Sequence, residues 1–278
     1  MSLPEPHIWC RITLLILTVA SFLPQILRIQ RKQSTHGVSP LCTLWNLIRA
    51  TEQFTLFVYA LYTAYEPNGT VLLHSPLSQG DRFNLWHCAV VTAPFLALFT
   101  QFLLYSDRKI SLLTGYISFL LVSIVPLIID AISPIDDDLA RRIFSSMFGE
   151  IHVMIIFPIL TFLGFCGIYC QAREILAVPF PNSLSQLGLA IQAVVFTLVS
   201  VTWIWSLKFP YETWNGEYSW NNFNGWYYTV GWIIFDHFVF ALGQAVLLGL
   251  ALHRSSSCKV SIRGEGGETE PLLGNIVH

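Results

Sequence analysis

Apolar runs separated by short polar joints set the pattern of this chain. Seven runs can be read, at about residues 9–29, 41–64, 85–105, 110–133, 147–170, 184–207 and 226–252. Each is close to the roughly 20 residues that a helix needs to cross a bilayer. The joints carry turn-forming residues: Glu66-Pro-Asn-Gly-Thr70 and Ser75-Pro76, Ser106-Asp-Arg-Lys109, Ser133-Pro-Ile-Asp-Asp-Asp138, Pro179-Phe-Pro-Asn-Ser183, and Pro210 through Glu217. The pattern predicts an all-α membrane protein with seven transmembrane helices.

Composition points the same way. Of 278 residues, 54% are hydrophobic and 12% charged, about half the charge of a typical soluble domain. That excludes a water-soluble globule. The formal net charge of -2 implies no particular partner, and nothing suggests nucleic acid. The six cysteines lie mostly inside apolar runs without metal-ligand spacing, so neither a metal site nor a disulfide framework is expected. Cys166 and Cys170 share a helical face but have no His or acid beside them. The first twenty residues also fit a signal peptide, with Arg11, an apolar run and Thr18-Val-Ala20 before a cut. The run continues to Ile29, however.

One stretch breaks the pattern of plain apolar spans. Pro24-Gln25 stands near the end of the first run, followed by a basic turn, then Gly37-Val-Ser39, then a new run from Pro40. A proline inside a helix removes a backbone donor and bends the chain. In hydrocarbon the freed carbonyl must face protein or a water-lined cavity. Gln25 could satisfy that backbone, a neighbour or a passing solute. The order Pro-Gln, basic turn, Gly-x-Ser and new helix resembles the PQ-loop membrane proteins, which include cystinosin-like and vacuolar basic amino-acid exporters. A divergent, fungal-type member is the resemblance stated most narrowly.

A shift of 146 residues lays the first three runs on the fifth, sixth and seventh without a gap. Gln25 falls on Gln171, Ser39 on Ser185, Pro24 on Cys170 and Gly37 on Ser183. Because an odd fourth run separates the copies, both have the same orientation, the parallel-repeat design of small transporters with a site between the halves. It is also the 3+1+3 layout of PQ-loop and sugar-exporter folds. The expected organisation is a first three-helix repeat at 1–106, a linker helix at 107–146, a degenerate second repeat at 147–253 and a cytosolic tail at 254–278. Pro24, Gln25, Cys170 and Gln171 are the expected hinges.

Charges inside spans are costly and mark function by default. Arg49 and Glu52 lie three apart in the second run, followed by Gln53. They read either as an intrahelical ion pair or as a site where Arg49 holds a carboxylate and Glu52 a proton or amine. Trp45 and Asn46, one turn earlier, resemble the start of this helix in the exporters. Those commonly place an acid where Arg49 or Ala50 stands, which argues against a basic amino-acid substrate. In the seventh run, Asp236-His237 with Gln244 reads as a proton-carrying site. Asp236 could instead cap a partner helix or pair with Arg49. Glu150, His152 and Asp130 fall near span ends, where water is expected. No Ser-His-Asp order, phosphate loop or HExxH motif occurs, so no enzyme and no cofactor is expected.

Basic residues in short loops set orientation. With the N-terminus lumenal, nine Lys and Arg lie on the cytosolic side and four on the lumenal side. Asn68-Gly-Thr70, a glycosylation sequon, then faces the lumen. Aromatic residues from Trp203 to Trp232 read as an interfacial belt or a lid on that side. In the tail, Glu268 four residues before Leu272-Leu273 resembles an acidic dileucine sorting signal for clathrin adaptors. The sequence therefore leads to a multi-pass protein of a vacuolar, lysosomal or other endomembrane, N-terminus lumenal and C-terminus cytosolic, that moves a small polar solute, such as an amino acid, with a proton. The rivals are a sorting or ligand receptor of the same fold and a membrane enzyme such as a small-molecule cyclase.

Overall fold

The computed structural model describes residues 7–63, 73, 77–106, 109–132, 138–178, 182–207 and 220–265. Asn68, Glu268, Leu272 and Leu273 lie outside them. The described secondary structure is helical: α1 (Ile8–Lys32), α2 (Pro40–Thr63), α3 (Gln79–Tyr105), α4 (Lys109–Ser123), α5 (Val125–Ile132), α6 (Asp138–Ile151), α7 (Phe157–Ala177), α8 (Gln186–Ser206), α9 (Trp220–Trp226) and α10 (Trp232–Glu265).

Three of the long rods are compound. α4 and α5 are parted at Ile124, two residues before Pro126, whose ring cannot follow the carbonyl of Val122 in an unbroken helix. A π turn at His152–Ile156 joins α6 to α7. A second, Tyr227–Gly231, joins α9 to α10; there a Cβ on Gly231 would stand 2.5 Å from the Trp226 ring. Six rods are long and apolar enough to cross a membrane. The rod that falls short is α2, which carries Arg49, Glu52 and Gln53.

Burial explains why α2 tolerates those groups. Fifteen of its 24 residues are buried, against Leu112 and Ser123 alone in the 15-residue α4, so α2 is an inner helix and α4 an outer one. In hydrocarbon only an inner helix can give polar side chains protein partners.

The packing order has an internal symmetry. α3 lies against both α1 and α2, and α10 lies against both α7 and α8. Across the middle, α1 meets α8 while α2 meets α7. Exchanging α1 with α7, α2 with α8 and α3 with α10 reproduces this scheme. α4 packs against α2 and α3.

The apolar core runs the length of the bundle. At its middle, Phe22 meets Phe95 and Phe196 edge-on, with ring centroids 4.8 and 5.9 Å apart, and Phe240 closes on Phe196 at 4.6 Å. Part of the expected aromatic belt is core instead: Trp203 and Trp232 are buried, whereas Trp220 is 73% exposed. Trp203 packs on Phe57 and Trp232 on Phe157.

Candidate functional site

Two polar constellations lie between the two helix sets, one at the end holding the α1–α2 and α7–α8 turns, the other at mid-bundle. At the turn end Gln25 reaches across to the second set. Its Nε2 donates to the Ser183 carbonyl at 3.0 Å, and its Oε1 accepts from the Ser185 amide at 2.7 Å. Gln171 makes the mirror contacts: its Nε2 donates to the Gly37 carbonyl at 3.0 Å, and its Oε1 accepts from the Ser39 amide at 2.7 Å. Each serine also caps the helix it precedes, Ser39 Oγ accepting from Cys42 N and Ser185 Oγ from Gly188 N. A primary carboxamide suits this work because it offers a donor and an acceptor side by side.

The two turns are also pressed together. Gly37 has a φ of +89°, and a Cβ there would stand 2.7 Å from the Asn182 side chain. Only glycine meets both conditions cheaply. Arg28 and Lys32 of α1 donate to the Asn182 carbonyl at 2.8–3.1 Å. The expected hinge pair Pro24 and Gln25 thus divides: Pro24 lies inside α1, and Gln25 is an inter-set fastener. In the second set Gln171 is the fastener, while Cys170 is partly exposed and unpaired with another thiol.

At mid-bundle, Asn46, Arg49 and Gln53 line one face of α2 at the i, i+3, i+7 spacing of a helix. Arg49 Nε donates to Asp236 Oδ1 at 2.7 Å. Its Nη2 pairs with the same carboxylate oxygen and donates to the Asp236 carbonyl at 3.1 Å. Gln53 Nε2 donates to Asp236 Oδ2 at 2.5 Å. Arg49 and Asp236 are both buried, so each supplies the charge the other needs. The guanidinium fits because α7 has Gly164 opposite it, where a Cβ would collide with Arg49.

The structure separates two residues that sequence proximity links. Arg49 pairs with Asp236, whereas Glu52 faces α4 and the first π turn. Glu52 accepts from Ser123 Oγ at 2.6 Å and is hydrogen-bonded to His152 Nδ1. His152 stacks on Phe148 with centroids 4.0 Å apart. His152 and Asp130 are buried, against the expectation of wet span ends, and Glu150 is exposed as expected. Sequence reasoning named His152 but not its partner, because a lone His at a span end carries no periodic signal and Glu52 is 100 residues away.

Between the constellations lies a cavity of about 60 Å³ lined by Gln25, Asn46, Gln171, Gln192, Gln244 and the Phe95 and Phe240 rings, among others. That is room for a few waters in a carboxamide-rich space. A smaller cavity of about 10 Å³ continues past the phenyl rings to Arg49, Asp236 and His237. Both glutamine fasteners line the larger cavity on its turn-end side. Among the described residues no cluster of three or more His, Cys, Asp or Glu could hold a metal ion.

Residues 8–66 match the PQ loop repeat family, a span that takes in α1, the Gly37–Ser39 turn and α2. No curated protein gives a significant match to the chain.

Proposed function

We propose that this multi-pass membrane protein, with its PQ loop repeat at residues 8–66, is a small-solute transporter whose site is the Arg49–Asp236–Gln53 cluster. The observation that carries the reading is the buried Arg49–Asp236 ion pair joining a helix of one set to a helix of the other, with a cavity holding five carboxamides beside it.

The pair also suggests the coupling. A buried guanidinium needs an anion. With Asp236 ionised, Arg49 and Gln53 are occupied. A proton on Asp236 releases both, and Arg49 then takes the carboxylate of an entering solute while the proton keeps the charge balanced. The cargo that fits is a carboxylate-bearing solute small enough for a widened central cavity, such as a neutral amino acid; the amides of Asn46, Gln192 and Gln244 would hold its polar atoms. Transport alternates as the two three-helix sets, with α4 and α5 as linker, rock about the site. The glutamine fasteners open the turn end, and Pro24 lets α1 bend there.

The basic asymmetry supports an N-terminus in the lumen and a tail in the cytosol. With the sequon at Asn68 and the acidic dileucine Glu268, Leu272 and Leu273, it supports a glycosylated protein of a vacuolar or lysosomal membrane.

The test is uptake into proteoliposomes of the purified protein under an imposed pH gradient, screened across amino acids and other small carboxylates. Acid-driven accumulation of a carboxylate solute that Asp236→Asn abolishes is the expected result. Wild-type protein that binds a solute without moving it would replace transport by a receptor role.

A further inference from the structure

Beyond the central pair and the Glu52–His152 contact, the described residues include two further buried histidines that the site chemistry above does not use. His87 on α3 and His237 on α10 are 8% and 2% exposed. Their rings stand edge-to-face with centroids 5.9 Å apart. Among the described residues neither Nε2 has a hydrogen-bond partner, although buried ring nitrogens are ordinarily satisfied. Trp203 flanks both rings, at 5.8 Å from His87 and 6.0 Å from His237.

Their positions give the pair a direction. His87 lines a cavity of about 30 Å³ at the end of the bundle away from the glutamine turns, together with Arg11, Asn84, Thr202, Trp203 and Ser206. His237 lines the small central cavity that also holds Asp236 and Arg49. The histidines thus stand between an outer vestibule and the carboxylate, where phenyl and indole rings occupy the remaining space.

We infer that His87 and His237 form a proton relay between that vestibule and Asp236. A proton entering from the vestibule bonds to one nitrogen of His87, and the ring releases a proton from its other nitrogen toward His237. His237 repeats the exchange and delivers a proton to the Asp236 carboxylate. One proton enters, one ends on Asp236, and both rings return to neutral in the opposite tautomer, which a ring turn resets. A single water or a small ring rotation spans the 5.9 Å centroid separation. The Trp203 ring, beside both histidines, is placed to stabilise the transient imidazolium.

The charged and titratable groups facing the pair are Asp236 itself on α10, Arg49 on α2 and Arg11 on α1. From α8 the neighbours are Trp203, Phe196 and Ser206, and from α3 Asn84, with Asp81 in the first turn of that helix.

This inference rests on Asp236 being the proton acceptor of the proposed transport cycle, and its test needs no transported solute. The full chain in lipid nanodiscs is subjected to a rapid pH drop, and the protonated-carboxyl stretch is followed by time-resolved infrared spectroscopy. The band belonging to Asp236 is the one lost in Asp236→Asn. In His87→Gln and in His237→Gln the band should reach its wild-type amplitude at a rate reduced about tenfold or more. Added imidazole should restore the rate in His87→Ala, which a packing role would not allow. A band that rises at the wild-type rate in both Gln variants overturns the relay and leaves the coupling reading standing. A band that is absent from wild type, or that Glu52→Gln removes instead, overturns both. Variants that run as aggregates on size exclusion are replaced by His87→Asn and His237→Asn, read in the same way.

Discussion

The turn end of the bundle is built twice, and its middle is built once. Gln25 and Gln171 make the same pair of bonds to equivalent positions of opposite turns, with distances that agree to the tenth of an ångström. At mid-bundle the repeat-equivalent residue of Arg49 is Val195, that of Gln53 is Val199 and that of His237 is Val91, all buried; that of Asp236 is Val90. A fastener between two halves works best when each half holds the other. A buried charge works only if its partner has the opposite sign, so duplicating it within a symmetric site would set like charges together. The asymmetry leaves the Arg49–Asp236 pair shared by both sets, and whatever breaks it is felt by both.

Breaking the middle should have the largest effect. Arg49→Met leaves Asp236 buried without a counter-ion and should cost about 3–5 kcal/mol, read as a fall in the thermal midpoint of the detergent-purified protein. Adding Asp236→Leu should return most of that stability without restoring transport. A double variant as unstable as the single would show that Arg49 contributes through packing rather than charge.

Next comes the fit of the guanidinium. Gly164→Ala pushes a methyl group against Arg49 and should destabilise by about 1–3 kcal/mol, with solute affinity falling alongside. Ala at Gly249, which has nothing within 4 Å, is the control expected to stay near wild type. Equal effects at both sites would detach Gly164 from the ion pair.

The fasteners sharpen the comparison because they should behave alike. Gln25→Ala and Gln171→Ala each orphan a buried carbonyl and a serine amide, at about 1–3 kcal/mol. Each should also speed alkylation of Cys42, which is buried and lines the 60 Å³ cavity, as read by mass spectrometry of the labelled peptide. Faster labelling in one variant alone would mean that the symmetric geometry hides unequal duties.

The smallest effect belongs to Glu52, which is buried but stands apart from the Asp236 cluster. Glu52→Gln keeps the bond from Ser123 and a partner for His152, so stability should change by about 1 kcal/mol. Acid-driven uptake should stay near wild type. Loss of uptake comparable with that of Asp236→Asn would move the proton site to Glu52.

Much of the symmetric end was legible in the chain. The 146-residue register set Gln25 on Gln171 and Ser39 on Ser185, and the structure uses those four residues together. What the register could not tell is that each glutamine serves the opposite copy, since a repeat looks the same whether its units close on themselves or on each other. The span pattern located the long helices but not the break at Ile124 or the two π turns, which leave the hydropathy of the runs unchanged.

Sequence by itself determined the class of this protein, because 12% charge and apolar runs of bilayer length suit a membrane rather than an aqueous fold. It also determined which few residues had to find partners, because hydrocarbon solvates no charge. The choice of partners was tertiary. Arg49 and Glu52, three residues apart, project from different sides of α2 once the helices around it are in place. One then meets Asp236, 187 residues on, and the other His152, 100 residues on. Helical spacing allowed them to pair with each other, and only the packing of α7 and α10 on one side, and of α4 on another, decided that they do not.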